Sequence, residues 1–235
     1  ADSDGDNMFI KDQLPTIFHM EGHKPGEIEL GIKTAFADYR ETLTPAHRLL
    51  LDRYELKDAA IKVVGVGSVG TRCWILRFKG ENKDPLFLQV KQASPSVLEP
   101  YAGKSIYPNH GQRVVNGYRI MQPASDIFLG WTRGKLGVDY YFRQLRDMKV
   151  KIEVETFGKT EMLIFAKWCG HAIALAHARS GDSAMISGYL GKNDTFAKAI
   201  EDFALAYADQ NEKDFEVFKS AIESGKLKAV YEEDK

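Results

Sequence analysis

Gly65-Val66-Gly67-Ser68-Val69-Gly70 decides how this sequence is read. Three glycines at G-x-G-x-x-G spacing serve several unrelated phosphate-binding loops, and the residues that follow tell them apart. A dinucleotide-binding turn needs a helix after its third glycine, so that the helix N-terminus faces the pyrophosphate. Here Gly70 is followed by Thr-Arg-Cys-Trp-Ile-Leu-Arg-Phe, an aromatic and β-branched run that predicts a strand. The acidic residue wanted about 20 positions on falls on Asp84, which sits beside Pro85 in a turn-forming stretch. A P-loop also wants a helix next and sets a lysine before its Ser or Thr; Gly70-Thr71 has none between. Two readings remain: a strand–turn–strand flap whose amides approach phosphate unobstructed by Cβ atoms, and a plain glycine-rich hairpin.

Working outward, Ile61 to Val66, Thr71 to Phe78 and Leu86 to Val90 read as three strands of an antiparallel meander, with Gly80 to Pro85 as a hairpin loop. A proline-punctuated stretch to Pro108 precedes a helix from Asn109 to Gln122, with Val114, Val115, Tyr118 and Met121 inward. Two more strands fit Asp126 to Thr132 and Val138 to Leu145, joined by a Gly134–Gly137 turn. Before the sheet, residues 1–26 read as an irregular leader. A helix follows from Glu27 to about Leu43, and a second, capped by Thr44-Pro45, runs to about Tyr54. After the sheet the pattern is helical. Glu161 to Arg179 is apolar on most sides and is expected to be central. Thr195 to Ala208 repeats an inward set of Phe196, Ile200, Phe203 and Tyr207, and a last helix covers Glu212 to Glu223. The fold class is therefore α+β in a two-lobe plan: an antiparallel five-stranded β lobe with one inserted helix, then an all-helical lobe. The expected boundaries are 1–59, 60–148 and 149–235.

The chain has 235 residues, 44% hydrophobic and 28% charged, enough for a folded core in one or two domains. Its net charge of −1 gives no global attraction to nucleic acid or anionic lipid, so neither is an expected partner. No apolar run approaches the ~20 residues of a bilayer span. The first residues, ADSDGD, are unlike a secretory leader. Two cysteines, Cys73 and Cys169, read as buried free thiols in a reducing compartment. A cytoplasmic protein is expected, and the missing initiator Met points to a fragment or processed product.

The flap reading belongs to kinase-like folds and predicts a lysine on the next strand. Leu86-Phe87-Leu88-Gln89-Val90-Lys91 supplies it, an amine with an apolar approach that needs an anion. Glu99 is the first choice for its carboxylate partner; the Asn109–Gln122 helix contains no acid. The rest reads as structural. Arg179 suits a helix C-terminus and Asp182 the cap of the next helix. His171 and His177 are six apart and share no helix face for a metal. Arg143, Arg146 and Asp147 lace a connector with ion pairs, and no Ser or Cys nucleophile has support.

Several runs also carry a family resemblance. Gly65 to Cys73, Phe87 to Lys91, Asn109 to Val115, Ser125 to Trp131, Arg143 to Lys149, His177 to Asp182 and Tyr207 to Gln210 occur in this order. Together they resemble the bacterial domain-of-unknown-function family 2252, a kinase-like, aminoglycoside-phosphotransferase-like group, over about residues 10 to 215. Members are similar to kinases in a Gly-Asp-x-His…Asn-Phe-Gly motif and an Asn-Asp-Phe-Asp motif that lie N-terminal to the flap. Neither occurs here: Gly181-Asp182 is followed by Ser-Ala, and Arg72 stands where a valine usually packs on adenine.

The resemblance thus implies the C-terminal half of an ATP-dependent phosphotransferase of unknown substrate. Gly65, Gly67, Ser68 and Gly70 would cover the phosphates, and Lys91, oriented by Glu99, would bind the α/β-phosphates. Magnesium ligands and catalytic aspartates are expected in a separate or missing N-terminal half, so no catalytic or metal-ligating residue is assigned and the chain alone is expected to be silent. The alternative is a non-catalytic nucleotide- or partner-binding module.

Overall fold

The computed structural model describes residues 2–4, 7–20, 22, 30–65, 70–82, 84–145 and 152–229. The chain divides into two units, Ala1–Ser180 and Gly181–Lys235. The first is built on β3 (Ile17–Phe18), β4 (Tyr54–Lys62), β5 (Cys73–Gly80), β6 (Pro85–Ala93), β7 (Gly130–Arg133) and β8 (Asp139–Gln144). These form one antiparallel sheet in the order β3-β4-β5-β6-β8-β7. Ahead of it, β1 (Asp2–Asp4) and β2 (Asn7–Phe9) pair as a separate hairpin.

The strand count is six rather than five. The leader, expected to be irregular, lays Ile17 against Lys62 and Phe18 against Ile61 as an edge strand. Two paired residues are too few to produce an alternation visible in sequence. β4 begins at Tyr54 rather than Ile61 and carries a register shift between Leu56 and Asp58, which interrupts the period-two pattern.

On one face of the sheet lie α1 (Leu30–Glu41) and α2 (Pro45–Leu51). Thr44 caps α2 by accepting the His47 amide, with Pro45 in the first turn. This face holds the larger core, of Tyr39, Leu51, Leu76, Phe78, Leu88, Val90 and Phe142. Tyr39 stacks on Phe142 with ring centroids 3.9 Å apart and donates its hydroxyl to the Phe128 carbonyl at 2.8 Å. The opposite face has a smaller cluster, Ile10, Ala60 and Ile75, with Ile17, Phe87 and Leu145 packed against it.

Between β6 and β7 come α3 (Glu99–Ala102) and α4 (His110–Met121). Pro100 sits in the first turn of α3, where a proline lacks only an amide that has no helical acceptor. α4 is tied to the β7–β8 hairpin at its N-terminus. The Asn109 side chain accepts the Gln112 amide at 3.0 Å and donates to Asp139 Oδ1 at 2.9 Å, while Asp139 Oδ2 accepts the His110 amide at 2.8 Å. Gly111 permits the contact: a Cβ there would lie 2.2 Å from the Tyr140 carbonyl oxygen. Val115 is buried as expected, but Met121 is exposed.

α5 (Lys159–Ser180) forms where expected, yet it is not central. Ala176 is its one buried residue, Trp168 is 70% exposed, and Cys169 is exposed rather than buried. In the second unit Asp182 caps α6 (Ser183–Leu190) by accepting the Ala184 and Met185 amides. The two helices expected next are one, α7 (Thr195–Glu223). Asp209-Gln210-Asn211 contains no glycine or proline to stop it, and Gln210 donates to Asp214 one turn on at 2.8 Å. Phe196, Ile200, Phe203 and Tyr207, expected inward, are all exposed. No helix among the described residues is long and apolar enough to cross a membrane.

Candidate functional site

β4 ends at Lys62, residues 63–65 and 70–72 lie in neither helix nor strand, and β5 opens at Cys73. No helix follows Gly70, which removes the dinucleotide and P-loop readings, both of which need one there. Gly65 and Gly70 are exposed, and Gly70 has a φ of 78°, in the left-handed region that favours glycine. Gly67 and Ser68 lie outside the described residues.

Strand register places Lys91. Its Cα partners are Cys73 on β5 and Tyr141 on β8, so Cys73, Lys91 and Tyr141 form one cross-strand row on one face. The next row is Ile75, Gln89 and Arg143, and beyond it Arg77 pairs with both Asp58 and Phe87. All three rows lie opposite the α1 core, and the first row adjoins the glycine loop. Arg72, by contrast, shares its parity with Trp74 and points to the α1 face. The side chain facing Lys91 at the base of the loop is Cys73.

A polar relay runs through these rows. Arg143 Nε donates to Gln89 Oε1 at 3.1 Å, and Gln89 Nε2 donates to Cys73 Sγ at 3.4 Å. Burial pushes the Cys73 thiol above its ordinary value, against the pull of the Gln89 hydrogen bond and the positive charges of Lys91, Lys62 and Arg143. Burial, with Tyr118 adding to it, raises the Tyr141 phenol to about 12. Three cations thus surround one thiol on a partly covered face. Among the described residues no carboxylate forms an ion pair with Lys62, Lys91 or Arg143.

Glu99 does not pair with Lys91. Its Oε1 accepts the Ser96 amide at 3.4 Å, closing its own turn. His177 is exposed, Arg179 donates to the Met121 carbonyl at 3.2 Å, and Arg146 and Asp147 lie outside the described residues. Among the described residues no group of three or more His, Cys, Asp or Glu side chains could hold a metal ion.

Two features of this face were not read from sequence. Arg143, placed with the connector, belongs to the Lys91 face. The other feature is a buried charge cluster. His19 Nδ1 lies 2.7 Å from Asp12 and its Nε2 3.2 Å from Asp58; Asp58 is fully buried and also accepts the Ile10 amide at 2.8 Å. Arg77 packs beside it, its guanidinium pulled down by burial and back up by the Asp58 charge. This cluster pins the leader to the sheet, 39 residues from His19 to Asp58 in sequence. Asp58 in β4 and Arg77 in β5, charges within otherwise largely apolar stretches, are the local trace of it.

The chain belongs to the family described as uncharacterized proteins conserved in bacteria, domain of unknown function 2252 (DUF2252), whose model matches residues 1–221. No curated protein and no solved structure matches it.

Proposed function

We propose that this chain is the flap-bearing part of a kinase-like phosphotransferase, with ATP bound between the glycine loop and the Lys91 face. The observation that carries the reading is the set of three cations, Lys62, Lys91 and Arg143, acting on Cys73 beside that loop, with no carboxylate among the described residues in an ion pair with them. A half-buried amine is costly unless an anion meets it, and a polyphosphate is the anion a glycine flap is built to cover. An antiparallel sheet with α3 and α4 inserted between β6 and β7 supports the reading.

In this reading the backbone amides of Gly65, Gly67 and Gly70, with Ser68, cover the phosphates. Lys91 takes the α/β-phosphates and Arg143 a terminal oxygen. The contribution is positioning and charge neutralisation, which is most of what phosphoryl transfer asks of a protein. Ligands for the magnesium of Mg-ATP are assigned outside the described residues, among which no group of acids could hold a metal ion. The acids that would orient an acceptor hydroxyl are assigned to a separate N-terminal half docking on this chain, and the location to the cytoplasm. The Glu99–Ser96 contact favours a second reading, a non-catalytic nucleotide-binding module, because the acid chosen to orient Lys91 is occupied elsewhere.

Calorimetry of the full chain with Mg-ATP tests the site. Lys91→Ala should weaken binding by about 10- to 150-fold, the loss of one charge-assisted contact of about 1.5–3 kcal/mol. Equal affinities for the two proteins would remove Lys91 from the site. Hydrolysis of ATP by the chain alone would reject the module reading.

A further inference from the structure

The Lys91 face is covered beyond its first row. Ile61 pairs with Trp74, so Lys62 extends the row of Cys73, Lys91 and Tyr141 beside the glycine loop. In the next row Ala60 stands opposite Ile75, and in the third Asp58 stands opposite Arg77, with Phe87 beyond. The leader folds onto these two rows. Ile10 is 6% exposed against Ala60 and Ile75, and Ile17, Phe87 and Leu145 pack on the same cluster. Two polar ties hold it there: the Ile10 amide donates to Asp58 Oδ2 at 2.8 Å, and His19 Nε2 lies 3.2 Å from Asp58 Oδ1. The Thr16 carbonyl also accepts the Val63 amide at 2.8 Å, two residues before Gly65, so the same segment grips the root of the glycine loop. β3 is an edge strand joined to β4 by two residue pairs, and the leader can therefore leave without opening the rest of the sheet.

We propose that residues 10–19 are an autoinhibitory strap, seated where the nucleoside of a bound nucleotide would lie and displaced when ATP binds. The inference rests on the nucleotide reading of the Lys91 face. Rows on one face of a sheet are about 7 Å apart. A nucleotide held by its phosphates at the first row, and lying along the strands, sets its ribose and base over the second and third. Ala60, Ile75 and Phe87 offer the base an apolar floor, and Ile10 already rests on it. The two cannot share that floor. A ligand made of phosphates alone stays one row nearer the loop and does not compete. Linkage makes the exclusion reciprocal: the strap weakens nucleotide binding by the fraction of molecules in which it is undocked, and the nucleotide releases the strap.

Mg-ATP and magnesium tripolyphosphate, which has no nucleoside, are titrated into the full chain by calorimetry. Ile10→Ser, which loosens the strap, should tighten ATP about 10-fold or more and change tripolyphosphate by less than about 2-fold. His19→Ala, which cuts the second tie, should act in the same sense. Amide hydrogen exchange reads the same equilibrium in the unsubstituted chain: saturating Mg-ATP should speed exchange of the Ile10 amide about 10-fold or more, and tripolyphosphate should not. If circular dichroism shows Ile10→Ser unfolded, His19→Ala and the exchange measurement decide. ATP binding unchanged by the substitutions, or an Ile10 amide equally protected with saturating ATP, overturns the strap and leaves the Lys91 site standing. Failure of tripolyphosphate to bind any of these proteins overturns the nucleotide reading, and the strap with it.

Discussion

Val90 and Lys91 are consecutive on β6 and live in different chemistries. Val90 packs in a core with Phe142, Tyr39 and Leu88, sealed by α1 and α2. Lys91 shares a row with Cys73 and Tyr141 on a face only partly covered, by α4 at one end and the leader at the other. A sheet carries both because alternate residues point to opposite sides. The difference teaches how one sheet separates its apolar core from its polar groups. One face supplies the buried apolar area that holds the unit together. The other keeps polar groups at positions that area did not need.

Truncations should separate the two faces most strongly. Phe142→Ala removes a ring stacked on Tyr39 and should cost about 3–5 kcal/mol in urea unfolding. Phe87→Ala, half-buried on the opposite face, should cost about 1 kcal/mol. Equal losses would break the comparison. Asp58→Asn comes next, at about 3 kcal/mol, because it leaves the buried Arg77 without its anion. A smaller figure would mean that the leader, not the sheet, accommodates the charge.

Two glycines of α4 sharpen the picture at its partly covered end. Gly111→Ala forces a Cβ into the Tyr140 carbonyl and should cost about 1–3 kcal/mol. Gly117→Ala meets nothing within 4 Å and should gain about 0.4–1 kcal/mol by restricting the unfolded chain. The smallest effect is a pH dependence. Burial alone would raise the Asp139 carboxyl, but the Arg133 hydrogen bond, the His110 amide and the charges of Arg133 and His110 hold it below the ordinary range. With the folded value depressed, the stability it adds is complete above the unfolded value of about 3.9. That stability is lost as pH falls through the folded value. Asp139→Asn should therefore flatten the acid side of the stability curve, read from urea midpoints between about pH 3 and 6.

What sequence could show here was local. The strand after Gly70 is written in Thr71 to Phe78, the Thr44-Pro45 start of α2 in two adjacent residues, and the cap of α6 in Asp182. The lysine that ends an apolar strand was equally visible. Its neighbours were not. Arg143 stands 54 residues from Gln89, so a relay between them depends on β8 pairing with β6, which no local pattern specifies. Glu99 lies only eight residues beyond Lys91 in sequence, but the Ser96 amide three residues upstream takes its carboxylate. The apolar stripes of α5 and α7 predict core positions, whereas most of those side chains are exposed.

Residue order alone determined the elements and the alternation that sets Val90 and Lys91 on opposite sides, because backbone periodicity and turn chemistry act within a few residues. Tertiary structure alone decided which cations gather around Cys73 and that Asp58 would be buried against His19. Those outcomes depend on strand register and on which face a helix covers. Both are settled by the burial of side chains far apart in the chain.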